Sequence, residues 1–100
     1  MLTHVVMIWF REDAPSAAVA RFRARATADL RDIPGVQHLR CGTPIPTERA
    51  VVDKSYSVAL AMAFDGRREL DAYAVHPVHQ KFMEECIQPF AARVVVYDFE

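Results

Sequence analysis

Glycine is scarce in this chain, at 3 residues in 100, and the irregular stretch from Gly42 to Asp53 resembles neither a phosphate-cradling loop nor a nucleophile elbow. That stretch reads as a variable hairpin loop. Cysteine is equally sparse: Cys41 and Cys86 form no CxxC pair and are too few for a disulfide framework, so both are expected to stay reduced. Charge of one sign is lacking too. Twelve basic residues against thirteen acidic ones leave a net −1, which gives no basic field for nucleic acid. No apolar run reaches the length of a membrane span, and the chain opens on a strand-like segment rather than a basic leader with a cleavage site. The expectation is a cytoplasmic protein without a membrane or nucleic-acid partner.

What is present is apolar material, 52% of the residues, on a chain long enough to bury roughly two-thirds of its unfolded surface as one domain spanning 1–100. The most informative stretch is Tyr73 to Phe82. Pro77 has a fixed φ near the helical value and no N–H to lose, so it suits the first position of a helix and makes His76 the N-cap. From there Phe82, Met83, Cys86 and Phe90 recur at helical spacing, and one turn back the same stripe contains His79. Gln80, Lys81, Glu84, Glu85 and Gln88 take the wet face. His79 is therefore an imidazole aimed inward, either a packed histidine with one hydrogen-bond acceptor or a general acid or base facing a cavity. A metal site on the HxxH spacing would need a third ligand and two imidazoles that converge, so no metal and no cofactor is assigned.

The order of elements sets the fold class. His4–Phe10 reads as a strand buried on both faces, with His4, Val6, Ile8 and Phe10 on one side and Val5, Met7 and Trp9 on the other. Positions 15–33 carry Val19, Phe22, Ala26, Leu30 and Ile33 at helical spacing. Arg21, Arg23, Arg25 and Arg31 form its solvated face or, alternatively, greet an anionic substrate tail or acidic carrier. Pro34–Gly35 ends the helix, Val36–Cys41 is a second strand, and Lys54–Phe64 is a third, with a bulky face and an alanine row of Ala59, Ala61 and Ala63. A short helix at 69–73, the helix from Pro77 and a strand at Arg93–Phe99 complete βαββαβ. This order predicts an α+β, ferredoxin-like domain with a four-stranded antiparallel sheet and helices on one face. The uncovered face, expected to carry Val5, Met7, Trp9, Val94 and Val96, is too apolar to stay wet and predicts a homodimer packed sheet to sheet.

The opening His-Val-Val-x-x-x-Phe strand, Ile33-Pro34-Gly35-Val36, Tyr56–Phe64, Tyr73-x-x-His76-Pro77-x-His79-x-x-Phe82 and the closing Val-Val-Tyr-Asp strand together resemble the stress-responsive A/B barrel family, often called Dabb. The resemblance runs nearly end to end and implies a dimeric α/β barrel made of two ferredoxin-like subunits. A plant polyketide cyclase of the family closes a poly-β-keto chain without cofactor, and its functional positions correspond to His4, Tyr73 and His79 here. Its first-helix tyrosine is replaced by Ala26, which implies a different substrate.

These lines combine into one expected site: His79 as base, Tyr73 orienting it or donating to the oxyanion, and His4 polarising a substrate carbonyl or supporting His79. The expected pocket between helices and sheet uses Val6, Ile8, Phe22, Leu39, Leu60, Phe82, Phe90 and Val95, and its ligand is a small apolar carbonyl compound. The function expected is cofactor-independent cyclase- or lyase-like chemistry. The alternative is a non-catalytic stress-responsive domain that binds a ligand or is merely structural. Cofactor-independent monooxygenases also use dimeric α/β barrels, but the HPxH motif points away from them.

Overall fold

The β-branched and aromatic run near the start forms the strand Leu2–Phe10 (β1), which is central to the computed structural model of residues Met1–Glu100. With Gln37–Gly42 (β2), Val58–Phe64 (β3) and Ala91–Phe99 (β4) it makes an antiparallel sheet in the order β2-β3-β1-β4. One face is covered by the helices Ala18–Arg25 (α1), Arg67–Ala74 (α2) and Pro77–Phe82 (α3). Two of them widen at their ends, α1 into a π-helical turn at Ala26–Leu30 and α3 into another at Met83–Ile87. Phe22, Phe64, Phe82, Ile8, Leu30 and Met62 fill the space between helices and sheet. No helix is long and apolar enough to cross a membrane.

Two element starts move by three residues or more from the sequence expectation. The first helix begins at Ala18 rather than at Pro15, because Ala18 N–H bonds the Pro15 carbonyl in a turn and Ala17 offers no side-chain cap. The third strand begins at Val58 rather than Lys54. There the Ser57 hydroxyl accepts from Phe10 N–H at 2.9 Å, taking the place of a backbone carbonyl, while Ser57 N–H donates to the Ile8 carbonyl; Tyr56, expected on the bulky face with Val58, Leu60, Met62 and Phe64, lies before the strand. At the junction after α1, Gly35 has φ +93°, a left-handed conformation that favours glycine, and a Cβ there would meet Glu69 Cβ at 3.3 Å.

The phase of β4 is also corrected. Antiparallel partners share a face, and Val96 pairs with Val6, Val94 with Ile8 and Asp98 with His4. Val94 and Val96 therefore face the helices. The open face carries Val95 and Tyr97 beside Met7 and Val5, with Ala59, Ala61 and Ala63 across β3.

Cys86 is buried and Cys41 half-buried, on different elements, and both are free. Burial pushes both thiols above their ordinary pKa, so neither is readily a thiolate. Thiol titration is expected to find two reactive groups in denatured, unreduced protein and slow reaction of Cys86 in the native state; fewer than two after denaturation would mean a disulfide has formed.

Candidate active site

His4, Tyr73 and His79 come from three elements and meet at one place. His4 follows Leu2 and precedes Val6 on the helix-facing side of β1, where alternation directs every second side chain. Its Nδ1–H donates to the Asp98 carboxylate at 2.5 Å, across the β1–β4 rung that pairs these two residues. The cap of α3 places His79. His76 Nδ1 accepts the Val78 N–H at 3.1 Å, with Pro77 at the first helical position, and this starts the helix so that His79 turns inward.

His79 Nδ1 lies 2.9 Å from the carbonyl of Ala74. A carbonyl only accepts, so Nδ1 carries the proton and Nε2 is the basic nitrogen of the neutral ring. Burial holds the His79 pKa below the ordinary value; the Ala74 bond opposes this, and His4 and His76 nearby add to it. Tyr73, 2% exposed, has its ring centre 4.4 Å from that of His79, tilted to it, and 6.1 Å from that of His4, edge to face. Desolvation pushes the phenol upward, so it stays protonated and able to donate.

These groups line a cavity of about 460 Å³, otherwise walled mainly by Val6, Leu60, Phe82, Ile87, Val94 and Val96. A second, more polar cavity of about 450 Å³, with Arg67, Asp71 and Asp98 on its walls, lies against the other side of His4. The first volume exceeds the roughly 300 Å³ lower bound for small-molecule sites.

The lowered His79 pKa also predicts a pH effect on stability. In the unfolded chain this ring takes a proton near pH 6.5, whereas the folded state keeps it neutral to lower pH, so the unfolded state binds more protons just below 6.5. The contribution is complete above about pH 6.5 and is lost as pH falls from there through the folded value. Thermal melts from pH 7.5 down to 5 should show a decline in Tm that His79→Gln flattens; parallel curves for the two proteins would contradict it.

A sequence model of the stress responsive A/B barrel domain, Dabb, matches residues 2–100. The chain belongs to the Dabb family. A search of curated protein sequences gives no match. Among solved structures, a Dabb family protein with a ferredoxin-like fold from Mesorhizobium loti is similar at TM-score 0.79 and 21% identity, covering 99% of this chain and 94% of its own. A dimeric ferredoxin-like protein of unknown function from Jannaschia sp. CCS1 is 26% identical at TM-score 0.74, with 99% and 97% covered. The hydroxynitrile lyase of Passiflora edulis is 16% identical at TM-score 0.80, with 98% and 90% covered.

In this Dabb chain only part of the expected pocket lines the cavity. Val6, Leu60 and Phe82 do. Ile8 and Phe22 are wholly buried in solid core, Phe22 meeting Phe82 at 4.9 Å and Phe10 at 6.4 Å edge to face. Leu39 packs on the core from β2, at the sheet edge opposite β4. Val95 pairs with Met7 and points to the open face. Phe90 packs near Phe10, at 6.2 Å, because the π turn before it adds a residue and rotates the end of the helix. Leu30, Met83, Ile87, Gln88, Ala91, Val94 and Val96 line the cavity unforeseen. Asp98 was also missed: an acid in an apolar strand was a readable signal, but its place on the His4 face follows only from the β1–β4 register.

Proposed function

We propose that this Dabb protein is a homodimer that performs cofactor-independent acid–base chemistry on a small apolar carbonyl compound. The observation that carries the reading is the convergence of His4, Tyr73 and His79 in a mainly apolar cavity, with His79 Nδ1 committed to the Ala74 carbonyl. His79 Nε2 takes the proton from a carbon flanked by two carbonyls. The C–H electron pair becomes a C=C bond as the carbonyl π pair moves onto oxygen, the enolate oxygen accepts a hydrogen bond from the Tyr73 phenol or from His4, and the proton held on His79 exchanges with solvent before the carbon is reprotonated. Asp98 holds His4 in one tautomer. The hydroxynitrile lyase among the structural neighbours supports the lyase-like branch of this reading.

The dimer is supported by the open sheet face, where Val5, Met7, Val95, Tyr97 and Phe99 lie together and Tyr97 and Phe99 are each 61% exposed. It is supported too by the dimeric state of the Jannaschia neighbour. Two such faces packed together would form an α/β barrel.

The test is deuterium exchange at the central carbon of a panel of 1,3-dicarbonyl compounds in D2O. Catalysed exchange by wild type is expected for at least one member. Binding without exchange would shift the function to non-catalytic ligand binding, and neither binding nor exchange across the panel would overturn the small-molecule reading.

A further inference from the structure

Two wide turns help wall the cavity. The π-helical segment Ala26–Leu30 contributes Leu30, and Met83–Ile87 contributes Met83 and Ile87. A π turn bonds each N–H five residues back, as Gln88 N–H does to the Met83 carbonyl at 2.9 Å; such turns are rare and occur as single bulges, often at functional sites. One side chain ties the two together. Arg25, the last residue of α1, donates through Nε to Asp29 Oδ2 at 2.7 Å and through Nη2 to Glu85 Oε1 at 3.1 Å. Asp29 lies in the first wide turn and Glu85 in the second. The three side chains are 26%, 33% and 34% exposed, partly shielded from water. Arg21, Arg23 and Arg31 are exposed, so Arg25 departs from the solvated role expected of all four.

We propose that Arg25 is a positioning residue that sets the width of the cavity. Its planar guanidinium fork reaches both carboxylates at once, which a lysine ammonium on a flexible stem does not reproduce. By pinning one wide turn to the other it fixes how far Leu30 stands from Met83 and Ile87, and so how broad a ligand fits between them. Only this last step rests on the cavity being a ligand site, as proposed above.

Arg25→Met removes the fork and keeps an unbranched apolar stem, and Glu85→Gln weakens one arm should the first variant fail to fold. Amide hydrogen exchange at residues 26–30 and 83–88 is expected to quicken by roughly tenfold in Arg25→Met, with β1 and β3 unchanged, the scale of one or two partly exposed charged hydrogen bonds. Binding of 2-octanone, a narrow ketone, and 2-acetylnaphthalene, a broad one, is followed through the Leu30 and Ile87 methyl signals. Wild type is expected to bind the narrow ketone at least about tenfold more tightly, and that preference should shrink by roughly tenfold in Arg25→Met and by less in Glu85→Gln and Arg25→Lys. Unchanged exchange, or an equal acceleration across the whole sheet, overturns the pinning role. An unchanged preference overturns the control of width. Loosened turns in a protein that binds neither ketone would uphold the pinning and sink the ligand-site reading instead.

Discussion

His79→Ala is expected to lower kcat for proton exchange on an activated 1,3-dicarbonyl by about 10²–10⁴-fold, the usual contribution of a general base. The fold should survive. The Ala74 carbonyl that His79 engages also accepts from Gln80 Nε2 at 2.9 Å, so removing the imidazole does not strand a backbone acceptor. Tyr73→Phe should cost less than His79→Ala, because it deletes one donor to the developing oxyanion and leaves the base in place. The acid limb of the kcat/KM profile should fall below pH 6.5, in keeping with the lowered His79 pKa. Rates measured by loss of the central-carbon proton signal decide the matter. Exchange undiminished in His79→Ala would remove His79 from the mechanism.

Ala61→Arg is expected to give the largest change in assembly. Ala61 lies between Ala59 and Ala63 on β3, opposite Val5 on β1 and Arg40 on β2, so its methyl group stands amid the open face. Under a second sheet an arginine there would be a buried, unpaired charge, costing about 3–5 kcal/mol, with Arg40 beside it as a like-charged neighbour. That cost corresponds to dimer affinity weakened by about a hundredfold or more. Ala72→Arg, on the exposed surface of α2, should leave the dimer intact. Sedimentation at micromolar concentration distinguishes the two; a wild-type protein that sediments as a monomer would dispose of the interface altogether.

The fold was legible because its signals are local. Pro77 after His76 announced a capped helix, and the three- and four-residue spacing of Phe82 and Cys86 showed which way that helix faces. The alternation of Val58, Leu60, Met62 and Phe64 with small residues set the phase of β3 in the same manner. Other features depend on neighbours distant in sequence. The run Val94-Val95-Val96 carries no alternation, so its phase is decided only when Asp98 pairs with His4 and Val96 with Val6. Phe90 fell outside the cavity because a π turn intervenes, and hydrophobic spacing read at 3.6 residues per turn does not register an inserted residue. The pairing of Arg25 with Glu85, 60 positions away, had no signal in a helix whose four arginines look alike.

The placement of His4 and Val5 on opposite sides of β1 makes the strand intolerant of odd length changes. If Ile8–Phe10 keep their partners, deleting Met7 alone turns His4 out to the open face and delivers Val5 to the cavity. Deleting Val6 and Met7 together restores the imidazole to the inner face, but displaced by about 7 Å along the strand, out of reach of Asp98 and Tyr73. Insertions obey the same parity. A homologue or designed variant whose first strand differs in length between His4 and Ile8 therefore has to build this site from a different residue.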